Sequence, residues 1–255
     1  MQVVGYDTGV GAAAEPALYV ARDGAVDREP LSRGRELAYT LGERRCAGEL
    51  SGTDHHACDD PTAPYCGAHD STWICAKCTG TCLKAEMDCY TEHAVYLAAF
   101  APATFKVGVT TRPRLETRLR EQGADRGARV YTVANGRIAR EIEADLVESV
   151  PVPDAVRVDA KIRGMARGVD TAAWERVLDG FDVQGRHRFD YGLDLAAAPV
   201  ADTVASGTVR GTKGRVLVLD RAGGTVAVDM RELVGYELLE GASSRDVQSS
   251  LGAYG

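Results

Sequence analysis

His93-Ala-Val-Tyr-Leu-Ala-Ala-Phe100 and the nearby Phe105-Lys-Val-Gly-Val-Thr110 decide how this chain is read. Each is a short run of β-branched, aromatic and small residues beside turn formers, and Ala94–Phe100 and Phe105–Thr110 are expected to be strands. Alternation puts Tyr96, Ala98 and Phe100 on one face and Val95, Leu97 and Ala99 on the other. Downstream, periodicity predicts a helix over Leu115–Gln122, a strand over Arg129–Ala134 and a helix over Arg137–Val150. Asn135-Gly136 forms the turn that opens this last helix. A further helix is expected over Thr171–Leu178.

Outward from this α/β centre the chain reads as β structure. Residues 2–6, 17–21 and 34–41 form short strands, with Asp23-Gly24 as a turn. At the other end, 207–209, 215–220, 225–230 and 234–239 are strands, with Ala222-Gly223-Gly224 as a hairpin turn. Neither set has enough strands to bury a sheet alone, so the two ends are expected to pair into one small β-barrel around an inserted α/β unit. Two separate β appendages are the alternative. The expected divisions are a β segment at 1–45, a cysteine-rich module at 46–93, the α/β unit at 94–150, a helical extension at 151–198, a β region at 199–241 and a frayed tail at 242–255.

The chain has 255 residues with 45% hydrophobic and 26% charged, which excludes wholesale disorder. No apolar stretch is long enough to span a bilayer, and the N-terminus has no basic region of the kind that opens a signal peptide. A cytoplasmic protein without membrane contact is expected. The net charge is −7, with lysine only at 77, 84, 106, 161 and 213 and a single asparagine. Such a composition fits a salt-adapted organism with a GC-rich genome and opposes indiscriminate nucleic-acid binding. One window reverses the sign: residues 106–140 hold nine basic against three acidic residues, a net of +6. That concentration points to an anion site.

Cys46, Cys58, Cys66, Cys75, Cys78, Cys82 and Cys89 fall within 44 residues. An odd count without a secretion signal opposes a disulfide framework. Cys75-Ala-Lys-Cys78 has the spacing of a zinc knuckle, where a tight turn aims two thiolates at one metal. With His93, four residues after Cys89, the set reaches eight ligands, the number two tetrahedral zinc ions need; one ion remains an option. His55, His56 and His69 compete for places. An iron–sulfur cluster and a CxxC redox pair are rival readings. The module is too polar to have a core of its own, so metal must hold it together.

On the first helix of the α/β unit, Leu115 and Leu119 share an apolar stripe beside a polar row of Arg114, Arg118 and Gln122. That row, with Lys106 and Arg120 near it, offers guanidinium groups for phosphate. In the last helix, Ile138, Ile142, Leu146 and Val150 are expected to face the core. Glu143 lies at the edge of this stripe, where a carboxylate needs a metal or an arginine. A semi-buried pair of Glu143 with Arg118 or Arg114 is the competing, purely structural reading. The glycine-rich runs at Gly5 and Arg210 do not form phosphate loops, and no Ser/His/Asp set is legible.

The ordered set Ala94-Val-Tyr96, Phe105-Lys-Val-Gly108, Arg114-Leu-Glu-Thr-Arg118 and Glu143 resembles the GIY-YIG nuclease fold. The resemblance departs at Phe105, which stands in place of the second tyrosine, and in the lack of an asparagine after Glu143. The cysteine cluster joined to His93-Ala-Val-Tyr-Leu-Ala98, Lys106-Val-Gly-Val-Thr110 and Arg118-Leu-Arg-Glu-Gln-Gly-Ala124 is also similar to an uncharacterised prokaryotic family known only as a domain of unknown function. The resemblances imply an α+β protein with a zinc module, a GIY-YIG-like ββαβα unit and a terminal β-barrel. They imply cleavage of DNA or structured RNA by Tyr96, Arg118 and Glu143, the last holding Mg²⁺ or Mn²⁺, with Lys106, Arg114, Arg120 and Gln122 on the substrate. A zinc-containing module that binds nucleic acid without cutting is the alternative. Oligomeric state is left open.

Overall fold

The computed structural model describes residues 1–10, 15–70 and 89–241. The chain divides into two units, one combining Met1–His69 with the chain from Pro199 onward, the other running Asp70–Ala198. The first unit opens with β1 (Gln2–Asp7), β2 (Ala17–Arg22), β3 (Ala25–Pro30) and β4 (Glu36–Arg44), then the short β5 (Glu49–Ser51) and β6 (Asp54–His56). Positive φ at Asp23 (51°) and Gly24 (83°) closes the two-residue turn that the Asp-Gly pair implied. The strand after that turn, β3, was not expected, because half of AVDREP is charged and it ends in proline.

The second unit holds β7 (His93–Phe100) and β8 (Thr104–Thr111), a 3-10 turn at Arg112–Arg114, α1 (Leu115–Glu121), β9 (Arg126–Val133) and α2 (Gly136–Ser149). It continues with α3 (Val158–Gly164), α4 (Thr171–Leu178) and β10 (Gly185–Arg188). Its sheet has the order β10-β9-β7-β8. Alternation along β7 separates two cores. Val95, Leu97 and Ala99 join Ala139 and Leu146 of α2 and Trp174 of α4, while Ala94, Tyr96, Ala98 and Phe100 join Leu115 and Leu119 of α1.

The chain then returns to the first unit through β11 (Val200–Ala201), β12 (Ala205–Lys213), β13 (Val216–Arg221), β14 (Gly224–Asp229), α5 (Met230–Leu233) and β15 (Tyr236–Glu240). β4 pairs with both β12 and β15, and β1 pairs with β15, so strands from the two ends share one sheet. Val3, Leu18 and Leu37 pack with Val209, Leu217, Val228 and Leu238 in a single cluster. The described residues are thus mixed α/β, with an eleven-stranded and a four-stranded sheet and five α-helices. None of those helices is long and apolar enough to cross a membrane.

Two expectations are corrected. The terminal strands do not close a barrel: their ladder runs open from β11 to β5. Those end strands have two and three residues, too short to extend a ladder around to each other. In α2, the predicted stripe through Ile138 is displaced, for Ile138 is 39% exposed while Ala139, Glu143 and Leu146 are buried. A strict spacing of four overshoots the 3.6-residue turn, so such a row winds off the buried face. Alternating steps of four and three keep Ala139, Glu143 and Leu146 inside. Asn135 caps the helix by accepting a 2.9 Å hydrogen bond from the Ile138 amide.

Gly164 ends α3 against the backbone of the β7–β8 turn, where a methyl in place of its hydrogen would stand 1.6 Å from the Ala101 carbonyl oxygen. Backbone cannot yield as a side chain does. Gly164→Ala is expected to cost more than about 2 kcal/mol, read as a lower urea midpoint at unchanged slope.

Candidate functional site

The first site grows out of the end of β4. The Cys46 amide donates to the Asp60 carbonyl (2.8 Å), and the buried Gln2 amide donates to the Cys46 carbonyl (3.2 Å) and the Gly235 carbonyl (3.0 Å). Gly48 (φ +69°) lets the chain turn back, since a methyl there would stand 2.1 Å from the His56 carbonyl oxygen. The result brings one ligand atom each from Cys46, Cys58, Cys66 and His69 within 4.8 Å of one another. His69 Nδ1 lies 3.4 Å from Cys46 Sγ and 3.3 Å from Cys66 Sγ. Ligands at Zn–S and Zn–N bond lengths in a tetrahedron stand roughly 3.6 Å apart, so these four residues fit a metal ion such as zinc.

The thiols are already treated as acceptors. Amides of Gly48 (3.4 Å) and Cys66 (3.3 Å) donate to Cys46 Sγ. The Ala68 amide is the largest influence on Cys66, whose pKa is lowered to about 7, with His69 helping. Cys58 is pulled down by the Asp60 amide, but desolvation and the neighbouring Cys46 and Cys66 outweigh it and leave the thiol raised. His69 was weighed only as a competitor in the sequence. The signal that finds it is Cys66-x-x-His69, a knuckle spacing as short as that of Cys75 and Cys78.

Cys75, Cys78 and Cys82 lie outside the described residues. Cys89 and His93 belong to the second unit and lie near the start of α2. The His93 Nδ1–H donates to the Thr91 carbonyl (2.6 Å), which leaves Nε2 with its lone pair. A methyl on Gly136 would meet His93 Nε2 at 3.0 Å and Cys89 Cβ at 3.3 Å, and the Gly136 amide donates to the Cys89 carbonyl at 2.6 Å.

The second candidate site lies at β8, an edge strand of its sheet. Tyr96 is opposite Gly108 in register, and a methyl on Gly108 would stand 2.6 Å from the phenol's Cζ and Oη. The ring therefore lies over the glycine. Its hydroxyl accepts from Gln122 Nε2 at 2.8 Å, so its own proton is not spent on that bond. Burial pushes the Tyr96 pKa up, against Arg118 and Gln122 and with Glu143. The group stays a phenol near neutrality. Lys106 follows on the same face of β8, where burial pushes its ammonium down and Arg118 adds to that, while Glu143 and Asp154 oppose. Phe105 points the other way and stacks on Trp174 with ring centres 5.7 Å apart.

The remaining site residues divide. Glu143 pairs with Arg140 (2.6 Å) and keeps 12% of its side chain exposed, in place of the expected partners Arg118 or Arg114. Arg118 and Arg114 instead meet Glu121 at 3.3 and 2.9 Å. Arg120 pairs with Glu116 at 3.1 Å and lies over the Phe189 ring. The structure thus gathers Tyr96, Lys106, Arg118, Gln122 and Glu143 and sets Arg120 elsewhere. Arg140 is the neighbour that sequence reasoning missed, though its spacing of three residues before Glu143 was legible.

These features define a two-unit α/β protein with a Cys₃His cluster in one unit and a tyrosine–lysine–arginine–glutamate cluster in the other. The chain belongs to the family described as protein of unknown function, DUF2797, whose model matches residues 58–238. Comparison with curated proteins and with solved structures gives no match.

Cys66→Ser and His69→Ala are each expected to lose one metal equivalent by elemental analysis and to cost more than about 3 kcal/mol of stability. Lys106→Met should be more stable than wild type at neutral pH. A lysine with a depressed folded pKa is destabilising while protonated, and wild type regains stability as pH rises toward the ordinary lysine value of 10.5. The gap between the two melting curves should therefore narrow with rising pH.

Proposed function

We propose that this protein is a metal-dependent nuclease that cleaves phosphodiester bonds of DNA or structured RNA at a GIY-YIG-like site on β8. The observation that carries this reading is the gathering of Tyr96, Lys106, Arg118 and Glu143 around Gly108. The glycine makes room for the Tyr96 ring over the strand, while burial and the neighbouring Arg118 both press on the charge of Lys106. An anion between Lys106 and Arg118 relieves that strain. Tyr96, kept protonated, donates a hydrogen bond that orients the phosphate or the attacking water. Gln122 fixes the phenol, and Arg114 extends the positive surface from the 3-10 turn.

A single carboxylate suits Mg²⁺ or Mn²⁺, which take one or two protein ligands together with substrate phosphate. Glu143 is the residue that would hold the ion, with Arg140 giving way. An ion held there would supply charge neutralisation at the phosphate and a more acidic water. We assign the Cys46, Cys58, Cys66 and His69 cluster to structural zinc, and four of Cys75, Cys78, Cys82, Cys89 and His93 to a second ion. Reduced thiols of this kind belong in the cytoplasm.

The 2.6 Å pair of Arg140 with Glu143 favours a second reading, a zinc-containing module that holds nucleic acid without cutting. Wild type, Glu143→Ala and Tyr96→Phe incubated with labelled tRNA, duplex DNA and branched DNA in Mg²⁺ or Mn²⁺ separate the two. Cleavage is expected to fall by at least about a hundredfold in Glu143→Ala and by about tenfold in Tyr96→Phe. Retention of substrate without cutting by any of the three proteins would establish the second reading.

A further inference from the structure

β9 and β10 place four arginines and no carboxylate on two paired strands of a chain whose net charge is −7. The register sets Arg188 directly opposite Arg126 and Arg186 opposite Ala128, so Arg126, Arg186 and Arg188 share the face on which Ala128 and Val130 are buried. Side chains directly opposite have Cβ atoms about 5 Å apart, and like charges there oppose folding. Folding alone gives no reason for this pair.

Of the nearby carboxylates, Glu175 offsets part of this charge, its carboxyl being held down by Arg186 and also by Arg126. Asp125 accepts from the Ala101 amide and Asp190 from the Gly192 amide, both at 2.9 Å. Glu175 of α4 takes both of its bonds, 2.7 and 2.9 Å, from Arg186. Arg126 donates to the Thr171 hydroxyl at 3.0 Å. Among the described residues, the exposed Arg188 guanidinium has no hydrogen-bond or ion-pair partner.

We propose that Arg126, Arg186 and Arg188 form a docking surface for the phosphate backbone of a nucleic acid. This deepens the proposed function and rests on it for the nature of the partner. The arginines are planar donors suited to bidentate phosphate contact. Arg186 and Arg188 repeat every two residues, about 6.7 Å along a strand, close to the axial rise of two phosphates on one nucleic-acid strand. β10 and β8 are the two edges of this sheet, three strand spacings or about 14 Å apart. The arginines lie on the face opposite Tyr96 and Lys106, so this surface is distinct from the β8 site.

Anisotropy of labelled duplex DNA and of labelled tRNA, titrated with the full chain between about 50 and 200 mM salt, tests this. Arg126→Gln/Arg188→Gln is expected to weaken binding at least about fivefold and to lower the duplex salt slope by nearly two, since each phosphate contact contributes about 0.9. Arg163→Gln, an exposed arginine of α3, controls for charge alone. The double variant's melting midpoint should hold or rise; if it falls, Arg188→Gln alone is used and a slope change near one is expected.

A slope unchanged by the substitutions, or changed equally by Arg163→Gln, overturns the docking surface and leaves the β8 reading standing. A lowered slope with no cleavage by wild type upholds the surface and removes the nuclease. Binding of a poly-glutamate peptide, lost in the double variant, with no binding of either nucleic acid, replaces the partner by an acidic protein and overturns both.

Discussion

Burial of β7 on both faces is the constraint on which the second unit is built. Seven consecutive residues, Ala94 to Phe100, are buried, and a strand can meet that condition only if each face is covered by its own layer. α1 covers one face and α2 with α4 the other. The polar atoms of a strand so enclosed must be satisfied within the sheet or by directed side chains. Tyr96 is where that rule meets chemistry, because its hydroxyl is the polar atom this buried run carries beyond its backbone. Gln122 reaches in to meet it, and the glycine opposite gives its ring a bed.

Charge in the unit is arranged against the grain of burial. Lys106 would be more comfortable uncharged, and Arg118 makes its position worse. Glu143 lies in the buried stripe of a helix that is otherwise ordinary in its packing, and takes Arg140 as its counter-ion. A protein selected for stability alone has a simpler solution, an apolar residue at each position. Sites that retain costly charge are candidates for binding or catalysis.

Much of the fold was legible in the sequence because it follows from local rules. α4 runs over Thr171–Leu178 as periodicity implied, and β7, β8, α1 and β9 begin or end within a few residues of expectation. What was illegible depends on partners distant in sequence. β10, with the sequence GRHR, has no strand pattern of its own and exists because β9 offers it an edge. The failure of barrel closure depends on the length of two end strands, which no periodicity reports. His69 entered the metal cluster ahead of His93 because the β4–β6 region folds Cys46 back onto it. Glu143 was marked for its awkward position, but its partner was misassigned because α2 rotates further than a strict spacing of four implies.

The hydrogen bond from the Gly136 amide to the Cys89 carbonyl joins the cysteine-rich segment to the first turn of α2. An α-helix is stiff along its axis, and Glu143 sits seven residues further on, about 10 Å along that rod. The backbone of Cys89 and the carboxylate of Glu143 are thus tied to the two ends of one stiff segment. The two ends of this lever belong to different chemistries. One end carries a free thiol, and the other a buried carboxylate paired with an arginine.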